Sequence, residues 1–166
     1  ASYNVEIAID TSMATPVLFA MLHSDTGEVG VYEFGMVDGA DGPVAVDGAV
    51  VTPAFNAEIV RAYDQFVDMN SVTIASVVTA QDGWLVVHAD NGEGGPGPVL
   101  GQTQVAAGLN SDVVVELEGD ITDTLFPMLH VDTGEAGVYE FGTVDGADGP
   151  VVLNGVAVVG VNTVPS

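Results

Sequence analysis

One block of this sequence occurs twice. The segment from Met21 through His23, Tyr32 and Asp41 to Val44 returns almost unchanged as Met128 to Val151, at a constant offset of 107 residues between His23 and His130. About two-thirds of the residues in the extended alignment are identical, which marks two copies of one structural unit. The later copy is preceded by a strand-rich stretch, roughly Ser71 to Gly108, that has no counterpart ahead of the early copy. The chain therefore reads as the C-terminal half of a unit over residues 1–63, followed by a complete unit over 64–166. Any fold assigned to it must account for the unmatched half.

The dominant local signal is period-two alternation bounded by Gly, Asp, Asn and Pro, the pattern of half-buried strands between tight turns. Val5, Ile7 and Ile9 alternate with polar or small residues, as Val113, Val115 and Leu117 do later. The runs 72–78, 84–88, 99–105, 124–130 and 151–159 read as further strands. A long strand is expected from Val50 to about Ala62, with a helical turn within 56–69 as the alternative. Gln81-Asp-Gly83, Asp132-Thr-Gly134 and Gly146-Ala-Asp-Gly-Pro150 are turn signals. Short strands at this spacing predict an all-β fold made of immunoglobulin-like antiparallel sandwich repeats. Trp84, the only tryptophan, is expected to anchor the core between the two sheets.

Charge narrows the partners. Asp and Glu total 24, Arg61 is the only arginine, and lysine is absent, so the formal charge is −23. Nucleic acid and anionic lipid are bound mainly through Lys and Arg, and both are excluded as partners. No apolar run is long enough for a membrane-spanning helix, so membrane insertion is not expected. The absence of cysteine removes disulfides, thiolate metal sites and a cysteine nucleophile. The opening residues lack the basic and apolar regions of a signal peptide, so residue 1 is read as following a removed segment.

The most chemical-looking stretch is His-x-Asp-Thr-Gly-Glu-x-Gly-Val-Tyr-Glu-Phe, present as His23 to Phe34 and His130 to Phe141. Asp25, Glu28 and Glu33, with Asp132, Glu135 and Glu140, are the candidate calcium ligands, because acidic side chains around a glycine turn suit a hard cation. The stretch lacks the full spacing of an EF-hand loop. The competing reading is a tight hairpin that returns Val31, Tyr32 and Phe34 to the sandwich. The three histidines cannot make a blue-copper centre without a cysteine. His88 and His130 lie in one unit and could approach each other, and a structural role is expected for them. No nucleophile elbow, zinc-protease helix motif or phosphate loop is present, so no enzymatic activity and no catalytic residue is expected. No cofactor is expected other than calcium at these acidic residues.

Val72-Thr-Ile-Ala-Ser-Val-Val78, Gln81-Asp-Gly-Trp84, Leu129-His-Val-Asp-Thr-Gly134, Gly137-Val-Tyr-Glu-Phe141 and Asp148-Gly-Pro150 together carry a family resemblance. The succession resembles a β-sandwich repeat domain of unknown function found, often in tandem, in secreted and cell-surface proteins of archaea and some bacteria. The resemblance implies an extracellular or cell-surface setting and a structural or binding role.

A half unit should expose a sheet edge and an apolar face. Three explanations compete: a window on a longer array, completion by strands from a neighbouring copy, or burial against the full unit. The expected function is an extracellular structural protein, a cell-surface or filament-forming subunit whose partners are copies of itself. A surface adhesin or a cation- or carbohydrate-binding module is the alternative.

Overall fold

In a computed structural model, residues 5–10 and 13–164 are described. They fall into two units: Val17–Asn56, and a larger one made of 57–164 with the described residues up to Pro16. The smaller unit contains β1 (Val17–Phe19), β2 (Ala45–Val46), β3 (Ala49–Val50) and β4 (Ala54–Asn56). Here β1 pairs with β4, and β2 with β3 across an Asp47-Gly48 turn whose two residues have positive φ.

The larger unit contains β5 (Ile59–Arg61), β6 (Ser71–Thr79), β7 (Gly83–Asp90), β8 (Pro96–Val105), β9 (Gly108–Glu116), β10 (Thr124–Val131), β11 (Val152–Leu153), β12 (Val156–Ala157) and β13 (Asn162–Thr163). A three-stranded sheet, β5-β6-β9, faces a four-stranded sheet, β13-β10-β7-β8, and β11-β12 forms a separate hairpin. All pairings are antiparallel. Between the sheets lie Val72, Ile74, Val77 and Val115 from one side and Leu85, Val87, Leu100, Leu125 and Leu129 from the other. β-branched and leucine side chains at alternate positions put one face of each strand into this layer. Removing such side chains from water is worth roughly 1.5–3 kcal/mol each, which makes this layer the main stabilising term. The all-β sandwich expected for the complete unit is the architecture observed.

Gly101 marks a close approach between β8 and the end of β9 in the opposite sheet. The Glu118 N–H donates to the Leu100 carbonyl at 2.7 Å. A Cβ on Gly101 would run into the Glu116 carbonyl oxygen.

Several local expectations are corrected. Val5, Ile7 and Ile9 are exposed and form no strand. Their counterpart, β9, pairs with β6, and the half unit has no β6 to pair with. The long strand expected over 50–62 breaks into β3, β4 and β5, with no helix over 56–69. The run 151–159 is not one strand but the hairpin β11-β12. Its turn is Asn154-Gly155, at φ 51° and 82°, a pair suited to a two-residue hairpin loop. β9 begins at Gly108 because the chain reverses at Ala106-Ala107; the Asn110 side chain bonds both the N–H and the carbonyl of Ala106 there.

Candidate functional site

The four-stranded sheet is buried on both faces. On β7, Leu85, Val87 and Ala89 face the other sheet, so Trp84, Val86 and His88 point the opposite way. On β10 the outward set is Phe126, Met128 and His130, and all six of these side chains are buried. The Trp84 expectation is therefore corrected: its indole belongs to this outer layer, not to the space between the sheets. The duplicated acidic block, residues 132–149, lies over Trp84 and His130 in this layer.

That block is neither strand nor hairpin. Tyr139 and Phe141 do not re-enter the sandwich; they lie on the outer face of the sheet. The Phe141 ring meets His130 edge-on at 4.7 Å between centroids, and Tyr139 lies 5.4 Å from Trp84 and 6.2 Å from His130. A strand cannot form here because Gly134, Gly137, Gly142 and Gly146 all have positive φ, which keeps the chain curling back on itself.

Asp148 organises the loop. Its carboxylate accepts the N–H of Thr133 at 2.7 Å through Oδ1 and that of Glu140 at 2.6 Å through Oδ2. Its own N–H donates to Thr133 Oγ1 at 2.9 Å, and its carbonyl accepts His130 Nδ1–H at 2.6 Å. The side chain is fully buried, and its backbone sits at φ 48°, a left-handed conformation that Asp tolerates better than most residues. One residue thus ties the start, middle and end of the loop to the histidine on the sheet.

The six acidic candidates take part in the same bracing. Asp132 accepts the Gly137 N–H with both oxygens, at 3.2 and 2.9 Å, and Glu140 Oε2 accepts the Glu135 N–H at 2.8 Å. In the smaller unit Asp25 accepts the Gly30 N–H at 3.3 and 3.1 Å, and Glu33 Oε2 accepts the Glu28 N–H at 2.7 Å. Glu28 and Glu135 enter these bonds through their backbone. Among the described residues, no three His, Cys, Asp or Glu side chains gather as they would around a metal ion.

Asp41 repeats the Asp148 pattern, with Thr26 N–H at 2.8 Å, Glu33 N–H at 2.6 Å and His23 Nδ1 at 2.6 Å from its carbonyl. The N–H groups of Glu33 and Thr26 hold the Asp41 carboxyl below the usual aspartate range. In these carboxylate and histidine bonds the two copies of the block agree.

A family model for a domain of unknown function, DUF7282, matches residues 1–58 and again 58–164. The chain belongs to this family. No curated protein and no solved structure matches it. What a DUF7282 domain offers chemically must therefore be sought in the geometry of the covered face.

Two histidines meet there. The His88 and His130 rings lie 5.6 Å apart between centroids. The Nδ1–H of His88 donates to the Gly97 carbonyl at 2.8 Å, as that of His130 does to Asp148. A carbonyl can only accept, so each neutral ring carries its proton on Nδ1 and a lone pair on Nε2. Burial is the main force that lowers the His130 pKa, to about 4, with His88 adding to the effect. Burial, followed by the Asp148 charge, raises that of Tyr139.

Because the folded His130 pKa lies below the ordinary 6.5, the folded state binds fewer protons than the unfolded one between those values. The stability it protects is complete above pH 6.5 and is lost as pH falls toward 4. The expected decline is up to about 1.4 kcal/mol per pH unit in that window. Urea midpoints measured from pH 7 to pH 4 check it, and His130→Phe should flatten the slope.

Sequence reasoning placed the two histidines in one unit but missed Asp41 and Asp148, because Ala-Asp-Gly-Pro reads first as a turn. The one available signal was that both copies keep the Thr and Asp, fifteen positions apart, that bond each other.

Proposed function

We propose that this protein is an extracellular structural protein, a subunit of a cell-surface array or filament in which β-sandwich repeats complete one another by adding strands. The observation that carries this reading is a contrast between equivalent positions. In the larger unit β10 has β13 on one side and β7 on the other. In the smaller unit β1, the equivalent of β10, pairs with β4 alone among the described residues. Phe19 is 67 % exposed where Phe126 is 5 %, and Leu22 is 57 % exposed where Leu129 is fully buried. A short strand with an exposed apolar face beside it is a template for another strand. The fitting strand is one with the character of β7, supplied by a further stretch of repeat or by a second copy. A head-to-tail contact of that kind extends without closing. The acidic, lysine-free surface supports an extracellular setting in which cations screen repulsion between copies.

Exposed aromatic rings favour a second reading. His23, Tyr32 and Phe34 cluster within 4.6–6.4 Å of one another, and the two aromatics lie largely open. Such a platform suits an adhesin that stacks on a sugar face.

The test is a chain carrying a second copy of residues 64–108 ahead of Ala1, which supplies strands of β6, β7 and β8 type to the half unit. The expected result is a monomer in which Val5 to Ile9 gains amide protection and Leu22 is buried, while the original chain self-associates as concentration rises. Sedimentation velocity and hydrogen exchange read both. A strictly monomeric original chain, with β1 already protected, overturns the proposal. Glycan binding that persists in the extended monomer would favour the adhesin instead.

A further inference from the structure

Four buried polar atoms beneath the acidic loop have no hydrogen-bond partner: Trp84 Nε1, His88 Nε2, His130 Nε2 and Tyr139 Oη. Leaving such an atom dry costs about 1–3 kcal/mol. Two of the four, His88 Nε2 and His130 Nε2, present lone pairs that a cation can take up. We propose that His88, His130 and Met128 form the binding site of a single copper(I) ion. The inference is independent of any assembly through β1.

The histidines are prepared as ligands. Each donates Nδ1–H to a backbone carbonyl, the outer support that fixes a metal-binding imidazole with its Nε2 lone pair outward. Their rings also reach for each other. His88 stands opposite Phe126 and His130 opposite Trp84, four positions further along the pair of strands. Ring centroids 5.6 Å apart across that register mean that the two side chains lean toward each other along the sheet. Two imidazoles bound through Nε2 at about 2.0 Å to one ion, with an angle near 110–120°, place their centroids roughly 5–5.5 Å apart. The observed spacing fits that arrangement.

Met128 supplies the third donor and decides the metal. It lies opposite Val86, midway between the two histidine positions, on the same buried face. Two imidazoles and a thioether form a neutral, soft set that suits copper(I). The carboxylate of Asp148, whose carbonyl holds His130, is already bonded to two backbone N–H groups. A divalent ion would bring a charge that no ligand offsets in a buried site, whereas a monovalent one brings half as much. The net charge of −23 draws cations to the surface from which this one would enter. In the smaller unit Met21 and His23 repeat two of the donors, but nothing there repeats His88.

Anaerobic titration of the full chain with copper(I), in competition with bicinchoninate, should give one tightly held ion per chain. Met128→Leu and His88→Asn should each weaken it by about 100-fold or more, since changes even behind the ligands cost 10–100-fold. His23→Asn should leave it unchanged. Met128→Leu conserves core volume, so its fold, checked by circular dichroism, separates lost ligation from lost structure. Copper K-edge absorption should show a sulfur neighbour that disappears in Met128→Leu. Failure to hold copper against the chelator overturns the site, as does affinity that survives Met128→Leu or His88→Asn. So does a crystal structure, grown with copper(I), in which a water molecule bridges the two Nε2 atoms.

Discussion

Replacing Asp148 with alanine should destabilise the larger unit by about 3–5 kcal/mol, because two part-buried backbone N–H groups lose a charged acceptor together. Thr133 lies at the start of the covering loop and Glu140 at its middle, and the one carboxylate holds both. The loop would lift from the sheet and expose Trp84, His130 and Met128 to water. Trp84 is the only tryptophan and lies under Tyr139, so its fluorescence reports the opening directly. The expected result is red-shifted emission at neutral pH and a fall in melting temperature of about 15 °C or more, on the scale of a domain near 100 residues. Asp148→Asn should fall between alanine and the original, since the amide keeps one acceptor oxygen but no charge. Unchanged Trp84 emission in Asp148→Ala would show that the loop is held by its aromatic contacts instead.

Gly101→Ala should be nearly as damaging, for a different reason. The added methyl meets a backbone carbonyl, Glu116 O, that cannot rotate away as a flexible side chain would. Relief requires β8 and the segment after β9 to separate, which breaks the bond from Glu118 N–H to the Leu100 carbonyl. Overpacking of this kind costs typically 1–3 kcal/mol, and about 3 is expected where backbone is struck. Gly149→Ala is the control, because a Cβ there meets nothing within 4 Å. Equilibrium denaturation of the two variants checks the difference; equal midpoints would mean that the edge of the sandwich yields freely.

Legibility in the sequence followed how local each signal was. The strands β6, β7, β8 and β10 were readable because their alternation or apolar runs are long and their bounding turns explicit. The Val5 to Ile9 alternation is as clear as that of Val113 to Leu117, yet only the second becomes a strand. Alternation states what a segment can pair with, not whether the partner exists. The hairpin at Asn154-Gly155 was readable in principle, but the apolar residues on either side hid it within one apparent strand.

The covered site was half legible. The sequence placed two histidines in one unit, and the acidic block was visible as something unusual. That Asp132 and Glu140 bond backbone N–H groups, and so brace the loop, depends on a fold that brings residues five positions apart into contact. The assignment of Trp84 to the wrong face has the same origin. A strand buried on both faces shows no alternation, so Gly83 to Asp90 gives no sign of which side meets the other sheet.

By itself, then, the sequence determined the all-β architecture, the duplication and its uneven front, because periodicity, turn chemistry and self-similarity are properties of neighbouring residues. The tertiary structure alone decided that the repeated block is a cover, that Asp148 fastens it, and that His88, Met128 and His130 share one dry face. Those relations join residues up to forty-two positions apart, from His88 to His130. Only the register of β7 against β10 brings them together.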